Sequence, residues 1–374
     1  MIKRLFLSHS AEPSGAELGL LRLSKLFDPK DTAIAFAADG PLVSRFQQAG
    51  IATHVHVLEK NAAGMKRDDR SIRRMASSFW KIVCYGWQLG GWAAEERVSM
   101  IVAYSVKSLI YGSVASRRAR VPLVWRVSDR IAPEYFGRIN TYVLRMIGAL
   151  LPSALIVNSK ATLQTVWARG KRVLILPPGI EISSDDNSAP KKRPLKQVAM
   201  VGRLAPWKGQ MEFIHAFERA FHGTDVKCLI IGGALFGEEE YEAALRHRVA
   251  TSPCREQIIF TGAVSNVNEL LKQSDVLVHA SVIPEPFGAV VLEGMDAGCA
   301  VIATRPGGPA EVITSGTDGL LVPCGDVDAL EKALERLLND DNLRWQLAQS
   351  GKTRVRDYDI QVLGKKADVW LSSL

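Results

Sequence analysis

The chain has 374 residues, which exceeds the usual size of one domain and predicts two. Its 47 basic and 39 acidic residues give a net charge of +8, which favours anionic partners such as nucleoside diphosphates or an anionic membrane surface. No zinc-finger, RNP or basic-zipper pattern indicates nucleic acid binding. The odd number of cysteines and the lack of a C-x-x-C pair predict reduced thiols in a cytosolic protein. No signal peptide and no membrane-spanning run is predicted.

The N-terminal half alternates strand-like and helix-like segments. A buried strand at 2–8, a small-residue loop and an amphipathic helix at 18–27 predict a Rossmann-like opening without the G-x-G-x-x-G fingerprint. The alternation is typical of an α/β protein with a mostly parallel sheet. Further strands are predicted at 32–37, 54–57, 100–103, 123–127, 154–158 and 172–176.

Residues 66–97 combine a basic first half with an aromatic second half. This composition is typical of a helix on an anionic membrane surface, but also of a core-facing helix with a solvated basic end, and the sequence leaves both interpretations open. His54 and His56 alternate on one predicted strand face. Because no third metal ligand accompanies them, a solvent-facing pair is expected. The cations and aromatic residues of the segment are Lys66, Arg67, Arg70, Arg73, Arg74, Phe79, Trp80, Tyr85, Trp87 and Trp92.

A second series of strands and helices follows a polar linker predicted at 183–196. Strands are expected at 197–201, 226–231, 257–264, 275–280, 300–303 and 319–322. The first of them leads into Gly202-Arg203-Leu204-Ala205-Pro206-Trp207-Lys208-Gly209, ahead of a helix from 210. Arg203 and Lys208 therefore place two fixed cations between a strand and a helix start. Arg203 offers a planar fork of donors and Lys208 a point charge, and both suit an anionic ligand.

Two glutamates bracket the start of another predicted helix, in the stretch Glu285-Pro286-Phe287-Gly288-Ala289-Val290-Val291-Leu292-Glu293. Eight residues advance a helix by about 800°, close to two turns, so both carboxylates can face one site. The amides of Phe287, Gly288 and Ala289 lie between them at the helix N-terminus, which suits a phosphate group. The stretch predicts carboxylates for sugar hydroxyls and amides for phosphate.

The stretch resembles the E-x7-E motif of retaining glycosyltransferases with the GT-B fold, especially glycosyltransferase family 4, the glycosyl transferases group 1. Residues 202–209 resemble the G-R-L-x-x-x-K-G signature of the same enzymes, and residues 305–311 resemble their Gly-Gly-x-x-Glu loop. The Gly-Ala-Glu element at 15–17 also resembles theirs. The specific motifs are concentrated in residues 197–323.

The resemblance implies an α/β protein of two Rossmann-like domains with a nucleotide-sugar site in the cleft between them. The expected ranges are an N-terminal acceptor domain at 1–182, the linker at 183–196, a nucleotide-sugar domain at 197–355, and a C-terminal helix at 356–374 that crosses back to the first domain. The implied enzyme is a retaining hexosyltransferase that acts in cell-surface polysaccharide or glycolipid synthesis. It would be cytoplasmic or peripheral on the inner face of the membrane.

The resemblance also assigns roles to individual residues. Arg203, Lys208 and Glu285 would be catalytic, and Arg126 and Asp129 are candidates for contact with acceptor or sugar. Many members of the family have a histidine where this chain has Ser128, and a helix cap before Ala132 is the structural alternative for Asp129. The expected donor-binding residues are Gly15, Val264, Phe287, Gly288, Ala289 and Glu293.

The expected partners are a UDP- or GDP-sugar donor, a glycan, lipid-linked or small-molecule acceptor, and an anionic membrane surface. No cofactor and no catalytic metal is expected, because the strings Asp326-Val327-Asp328 and Asp357-Tyr358-Asp359 are interpreted as a helix cap and part of a terminal segment. Two alternatives remain open: a nucleotide-sugar epimerase of the same architecture, and a non-catalytic nucleotide-sugar binding subunit.

Overall fold

The computed structural model describes residues 3–13, 15–58, 72–182, 190, 192–235 and 237–374, without the side chains of 16 and 72–79. These residues form two compact units, Met1–Gly179 with Ile360–Leu374, and Ile180–Asp359. We refer to them as the N-terminal unit and the C-terminal unit. The chain is of the α/β class, and each unit contains one sheet in which every strand pair is parallel.

The N-terminal unit contains a seven-stranded sheet of order β3-β2-β1-β4-β5-β6-β7. Its strands are β1 Arg4–Ser8, β2 Thr32–Phe36, β3 Ala52–Val55, β4 Met100–Ala103, β5 Leu123–Val127, β6 Ala154–Val157 and β7 Arg172–Ile175. Its helices are α1 Gly15–Ser24, α2 Pro41–Gln48, α3 Ile72–Glu95, α4 Val106–Ala119, α5 Pro133–Phe136, α6 Arg138–Leu150, α7 Lys160–Leu163 and, from the end of the chain, α15 Ile360–Ser372.

The C-terminal unit contains a six-stranded sheet of order β10-β9-β8-β11-β12-β13. Its strands are β8 Gln197–Val201, β9 Lys227–Ile231, β10 Ile258–Gly262, β11 Val276–His279, β12 Ala300–Arg305 and β13 Leu320–Pro323. Its helices are α8 Gln210–Phe221, α9 Glu239–Ala250, α10 Val267–Gln273, α11 Ala289–Asp296, α12 Pro309–Val312, α13 Val327–Asn339 and α14 Asp341–Arg354, with 3₁₀ turns at Pro206–Lys208 and Val355–Tyr358.

Apolar side chains cover both faces of each sheet, as a parallel sheet with helices on both sides requires. In the C-terminal unit, one core packs β8 against Phe213 and Phe217 of α8, and a second core packs the other face of the sheet against Val291 and Leu292 of α11. The strand predicted at 54–57 was misplaced, because β3 begins at Ala52. Its edge position leaves its residues only partly buried, which weakens the apolar signal in the sequence.

Among the described ranges, no helix combines the length and the apolar character needed to cross a bilayer. The longest described helix is α3, which packs closely on α4. Small residues make this packing possible, since a Cβ at Gly86 would lie 2.5 Å from the Tyr111 carbonyl oxygen and one at Gly90 would lie 2.8 Å from that of Ala115. The α3 helix is therefore an element of the N-terminal core.

Candidate active site

The candidate site lies where the strand order of the C-terminal sheet reverses. Neighbouring strands β8 and β11 pair in parallel, and their chains continue to opposite sides of the sheet order. In open α/β sheets this point leaves a crevice beyond the carboxyl ends of the strands, and ligands bind there. The loop after β8 carries Arg203 and Lys208, and the loop after β11 carries Glu285. The fold therefore brings Lys208 into contact with Glu285, which lies 77 positions further along the chain.

The two loops are held in contact by their backbones. The Val282 amide donates to the Trp207 carbonyl oxygen over 3.0 Å. Gly209 adopts φ 81°, and a Cβ at this position would lie 2.0 Å from the Ala280 carbonyl oxygen. Only glycine allows both this conformation and this approach. The position of Lys208 relative to Glu285 is thus fixed by main-chain packing.

A partly buried ion pair forms the centre of the site. The Lys208 Nζ lies 2.9 Å from Glu285 Oε1 and 3.0 Å from Oε2, and the Ser281 hydroxyl donates to Oε2 over 2.7 Å. Glu285 is 8% exposed, and its backbone carbonyl accepts from the Gly308 amide over 2.9 Å. The carboxylate is therefore held by a cation, a hydroxyl and the adjacent loop.

His279 is part of the same cluster, although the sequence did not single it out. Its Nε2 lies 3.5 Å from Glu285 Oε2 and 3.3 Å from the Ser281 hydroxyl, and its Nδ1 lies 3.3 Å from the Thr304 hydroxyl. His279 is the last residue of β11 and is 3% exposed. Its position at the end of a strand, six residues before Glu285, was the available signal.

The environment of Glu285 controls its ionisation. Burial alone raises the pKa of its carboxyl, but Lys208 and His279 outweigh this effect and hold the pKa well below its usual range. Glu285 is consequently a carboxylate at neutral and mildly acidic pH. It can accept hydrogen bonds there but has no proton to donate.

The N-terminus of α11 lies next to this ion pair. Gly288 precedes the helix in the left-handed conformation, with φ 81°, and no side chain caps the helix. A Cβ at Gly288 would lie 2.9 Å from Pro309 Cγ and 3.4 Å from His279 Nε2. The first amides of a helix have no partner within it, and the helix dipole makes this end positive. The arrangement can bind an anion through its backbone.

The side chains around the start of α11 differ in their accessibility. Phe287 is 4% exposed and packs on Tyr358 with a ring-centroid distance of 6.1 Å, so its side chain belongs to the core. Ala289 and Glu293 are half-buried, and Glu293 lies one turn further along α11. Val264 is also half-buried and follows β10.

Arg203 extends the cationic side of the site. Its Nε lies 3.3 Å from Glu238 Oε2. Trp207 lies between the two cations, with its ring centroid 4.2 Å from Lys208 Nζ and 6.0 Å from Arg203 Cζ. An indole face attracts cations and restricts their side chains, which makes Trp207 a positioning residue that the sequence did not indicate.

Three predicted residues belong to the N-terminal unit. Gly15 is the exposed first residue of α1, and a Cβ there would meet no atom within 4 Å. Arg126 is 8% exposed and lies over the Tyr104 ring at 5.8 Å, and its Nη1 has no hydrogen-bond partner among the residues that the structure describes. Burial lowers the pKa of its guanidinium. Asp129 precedes α5, whose N-cap position is Ala132 without a side-chain cap.

The basic-aromatic segment 66–97 is only partly described. Lys66, Arg67 and Arg70 lie outside the described residues, as do the side chains at 72–79 that include Arg73, Arg74 and Phe79. In the described part, Trp92 packs on His54 and His56, with ring centroids 4.3 and 5.6 Å apart, while Trp80 and Trp87 are exposed. The histidine pair thus packs against an aromatic ring.

The aspartate strings take the positions expected from the sequence. The Asp326 side chain accepts from the Ala329 amide over 2.9 Å and caps α13. Asp357 belongs to the turn before α15 and pairs with Arg354 at 2.7 Å. Across the described parts of the chain, no group of three or more His, Cys, Asp or Glu side chains has the arrangement of a metal site.

Comparison with known proteins shows which proteins this part of the chain resembles. Residues 181–354 match the profile of the glycosyl transferases group 1. The matched range contains Arg203, Lys208, Glu285 and the N-terminus of α11.

Curated relatives are similar over parts of their length. The chain is 32% identical over 207 residues to a phosphatidyl-myo-inositol mannosyltransferase of Mycobacterium leprae. The aligned region covers 53% of each of the two chains. The chain is 27% identical over 238 residues to the lipopolysaccharide core biosynthesis glycosyltransferase LpsE of Rhizobium meliloti, covering 60% of this chain and 66% of that one. The chain thus matches about half to two thirds of the length of these relatives.

A solved structure is similar over the whole chain. HepE of Anabaena, in complex with UDP and glucose, has 27% identity, full coverage of both chains and a TM-score of 0.84. The predicted GT-B fold is confirmed by this similarity together with the two parallel sheets. The combined matches support a group 1 glycosyltransferase.

Proposed function

We propose that this protein is a retaining glycosyltransferase of family 4 that transfers a hexose from a nucleoside diphosphate to a sugar or lipid acceptor. The observation that carries the proposal is the Lys208–Glu285 pair, which lies beside the N-terminus of α11 where the strand order reverses, within the range that matches the group 1 profile. Such a site offers fixed positive charge for a departing diphosphate and a carboxylate for sugar hydroxyls.

The donor is oriented by its charge. Arg203, Lys208 and the amides of residues 287–289 bind the diphosphate, and the Gly15 amide contributes a further donor. Glu293 accepts the ribose hydroxyls, since it lies beyond these amides along α11. Glu285 precedes the amides and accepts a hydroxyl of the sugar, and the backbone at Val264 contacts the nucleobase. UDP-sugars should be tested before GDP-sugars, because the similar HepE structures contain UDP and UDP-glucose.

The ion pair has a role in the reaction cycle. Without donor, Glu285 neutralises Lys208 and keeps it close to the helix N-terminus. As the glycosidic bond breaks, the leaving diphosphate gains negative charge, and the Lys208 ammonium and the α11 amides stabilise it. A phosphate oxygen of the leaving group takes the proton of the acceptor hydroxyl on the same face of the sugar. This route retains the anomeric configuration and requires no base from the protein.

The acceptor side is assigned to the N-terminal unit. Arg126 is buried and its Nη1 has no partner in the portion of the chain that the structure describes, so it is a fixed donor for an oxygen of the acceptor or sugar, and Asp129 follows the same strand. The curated relatives act on lipopolysaccharide core and on phosphatidyl-myo-inositol, according to their names. We infer a glycan or lipid-linked acceptor used in cell-surface polysaccharide or glycolipid synthesis, at the cytoplasmic face of the membrane.

Incubation with UDP-sugars and candidate acceptors tests the proposal, and analysis of the product anomer tests retention. Transfer with an inverted anomeric centre would reject the retaining mechanism. A C2-epimerised or other isomerised sugar would indicate the epimerase, and UDP-sugar binding without turnover would indicate a binding subunit.

The proposed chemistry needs no divalent metal, because cations and amides supply the stabilisation. We expect transfer to proceed at nearly the same rate after treatment with EDTA, measured as UDP release. A control with added magnesium or manganese measures any restoration. A large loss that metal restores would contradict the proposal.

A further inference from the structure

Helix α6 has two apolar faces, and the described residues of the chain cover only one of them. On the inner face, Gly148 lies so close to Trp125 that a Cβ would be 2.3 Å from the indole ring, and Leu144 and Ile147 pack against the core. The opposite face is exposed to solvent. Its members, which we call the α6 stripe, are Ile139 (81% exposed), Tyr142 (57%), Val143 (44%), Met146 (38%) and Leu150 (72%).

The stripe is a continuous surface feature. Its residues follow the 3, 4 and 7 spacing that places side chains on one side of a helix, from the first turn of α6 to its last residue. Trp167 extends it, because this side chain is 41% exposed and contacts Tyr142 edge-on with a centroid distance of 5.3 Å. A contiguous exposed apolar surface of this kind marks an interaction site.

The charge around the stripe is of one sign. Residues 135–180 contain six basic residues and no aspartate or glutamate. Arg138 begins the helix, the Arg145 side chain donates to the Ile131 carbonyl oxygen over 3.0 Å, and the Lys171 Nζ donates to the Pro152 carbonyl oxygen just beyond the end of the helix. Cations are thus placed at both ends and along the side of the apolar surface.

The two units also differ in net charge. The N-terminal unit has 28 basic and 13 acidic residues, a net charge of +15, whereas the C-terminal unit has 19 basic and 26 acidic residues, a net charge of −7. The excess of positive charge in the chain therefore lies in the N-terminal unit. An anionic surface would attract the unit that bears the stripe.

We propose that the α6 stripe docks on an anionic lipid surface, with Ile139, Met146 and Leu150 in the headgroup–acyl boundary. Tyr142 and Trp167 are residue types favoured at this boundary, because their rings are apolar with one polar group. The flanking cations bind the lipid phosphates, and the helix lies in the plane of the interface.

A second copy of this chain fits the stripe less well. A symmetric dimer would place the same patch against itself, and Arg138 and Arg145 of each copy would face cations without acidic residues of the same segment to pair with. The docking surface differs from segment 66–97, for which the sequence left a membrane-bound helix and a core-facing helix both open. It goes beyond the transfer reaction and does not depend on it.

The test uses two pairs of substitutions on exposed helix faces of the same unit. The stripe variant carries Ile139→Ser and Leu150→Ser. The control variant carries Val362→Ser and Val369→Ser on α15, where the replaced side chains are 58% and 72% exposed. All four residues are exposed, so both variants should keep the fold, which thermal unfolding verifies. Binding is measured by co-sedimentation with vesicles of equal parts phosphatidylglycerol and phosphatidylcholine, and with pure phosphatidylcholine.

We expect the wild-type protein to bind the anionic vesicles, and this binding to weaken as salt is added. The stripe variant should bind at least about tenfold more weakly, because two large apolar side chains no longer enter the lipid. The control variant should bind like the wild type. UDP affinity, measured by calorimetry, should be the same in all three proteins, so that a failure of docking is separate from a failure of the proposed transferase site.

The proposal is overturned if the wild-type protein ignores anionic vesicles at low ionic strength, or if the stripe variant binds as the wild type does. It is also overturned if both variants lose binding equally, since the stripe would then have no special role. Sedimentation velocity supplies another decisive result. A wild-type dimer that becomes monomeric in the stripe variant would show that a second copy covers the stripe.

Discussion

Lys208 contacts Glu285 in the structure and, in the proposed reaction, also binds the donor diphosphate. Its geometry explains how one side chain can do both. It contacts both oxygens of Glu285, yet a fifth of its side chain remains exposed, whereas Glu285 is nearly buried. The lysine stem can therefore turn toward a ligand, while the carboxylate is held by Ser281 and His279. The carboxylate is fixed, and the cation is the adjustable member of the pair.

Replacing Lys208 with methionine should separate these two functions. The substitution keeps the approximate length of the side chain and leaves the Glu285 charge buried with its remaining partners, so the unfolding free energy should fall by about 3 kcal/mol, the lower end of the range for a buried charge that loses its cation. Transfer should fall by about 100-fold or more, since a charge that stabilises the leaving diphosphate is lost. UDP release and thermal unfolding measure the two effects.

A suitable control is Lys332→Met, because Lys332 is exposed on α13. Both activity and stability should be close to wild type in this variant. Wild-type turnover in Lys208→Met would exclude the lysine from the reaction. A fully unfolded Lys208→Met protein would show that the pair is needed chiefly for the fold.

The two glutamates should differ in their response to charge removal. Glu293→Gln should weaken UDP binding by about tenfold, because a hydrogen bond to a charged acceptor contributes about 1.5–3 kcal/mol. Glu285→Gln should leave UDP affinity nearly unchanged and lower turnover with the intact donor. Calorimetry with UDP alone and kinetics with the UDP-sugar measure the difference. Loss of UDP affinity in Glu285→Gln alone would reverse the proposed orientation of the donor.

Sequence reasoning proposed the residues of this candidate site that belong to spaced motifs and missed those that do not. Arg203, Lys208, Glu285 and Glu293 belong to recognisable patterns, but His279 is simply the end of an apolar strand. Its contact with Glu285 depends on the turn at 280–284. The direct Lys208–Glu285 pair was also not predicted, because it results from strand order, which places residues 77 positions apart on neighbouring loops.

At the scale of elements, the N-terminus of α11 depends on one backbone conformation. Gly288 has a positive φ, and the space next to it is filled by Pro309 and bordered by His279. A side chain there would disturb both the helix start and the ring that contacts Glu285. The loop containing Gly307 and Gly308 approaches equally closely, since a Cβ at Gly308 would lie 2.2 Å from the Phe287 Cα.

Gly288→Ala should therefore reduce ligand binding as well as stability. Gly223→Ala is the matched control, because Gly223 has nearly the same φ, 78° against 81°, and a Cβ added there would meet no atom within 4 Å. Both variants should lose about 1–2 kcal/mol of stability from the left-handed conformation. Only Gly288→Ala should also lose UDP affinity, by about tenfold. Equal UDP affinity in the two variants would exclude this helix end from the phosphate site.

Most strands were predictable, because a parallel sheet buried on both faces requires continuous apolar runs. The predicted strands at 100–103, 123–127 and 197–201 have the observed bounds. The predicted bounds were wrong where the side chains of a strand are incompletely buried, as at β3. They were also wrong where a helix begins with small residues that give no apolar pattern. The helix predicted from 18 begins at Gly15. The exposed apolar face of α6 was not predicted either, since sequence periodicity cannot show which of two apolar faces is covered.

At the scale of the whole molecule, the chain returns to its first unit after completing the second. Helix α15 contributes Leu363, Ala367 and Leu371 to the core that contains β1 and β2. It is held close, since a Cβ at Gly364 would lie 2.3 Å from Leu26 Cδ1, and Asp368 pairs with the nearly buried Arg4. The last residues of the chain are therefore structural parts of the unit formed by the first.

This connection predicts that damage to α15 weakens the N-terminal unit selectively. Leu363→Ala removes a side chain that is 6% exposed and should lower the stability of that unit by about 2–5 kcal/mol. Val362→Ala changes the exposed neighbouring residue and should stay within about 0.5 kcal/mol of wild type. Hydrogen exchange measured by mass spectrometry locates the effect. Amides of β1 and β4 should exchange faster in Leu363→Ala, while those of β8 and β11 keep their protection because their cores contain no residue of α15. Equal loss of protection in both sheets would instead show that the two units unfold together.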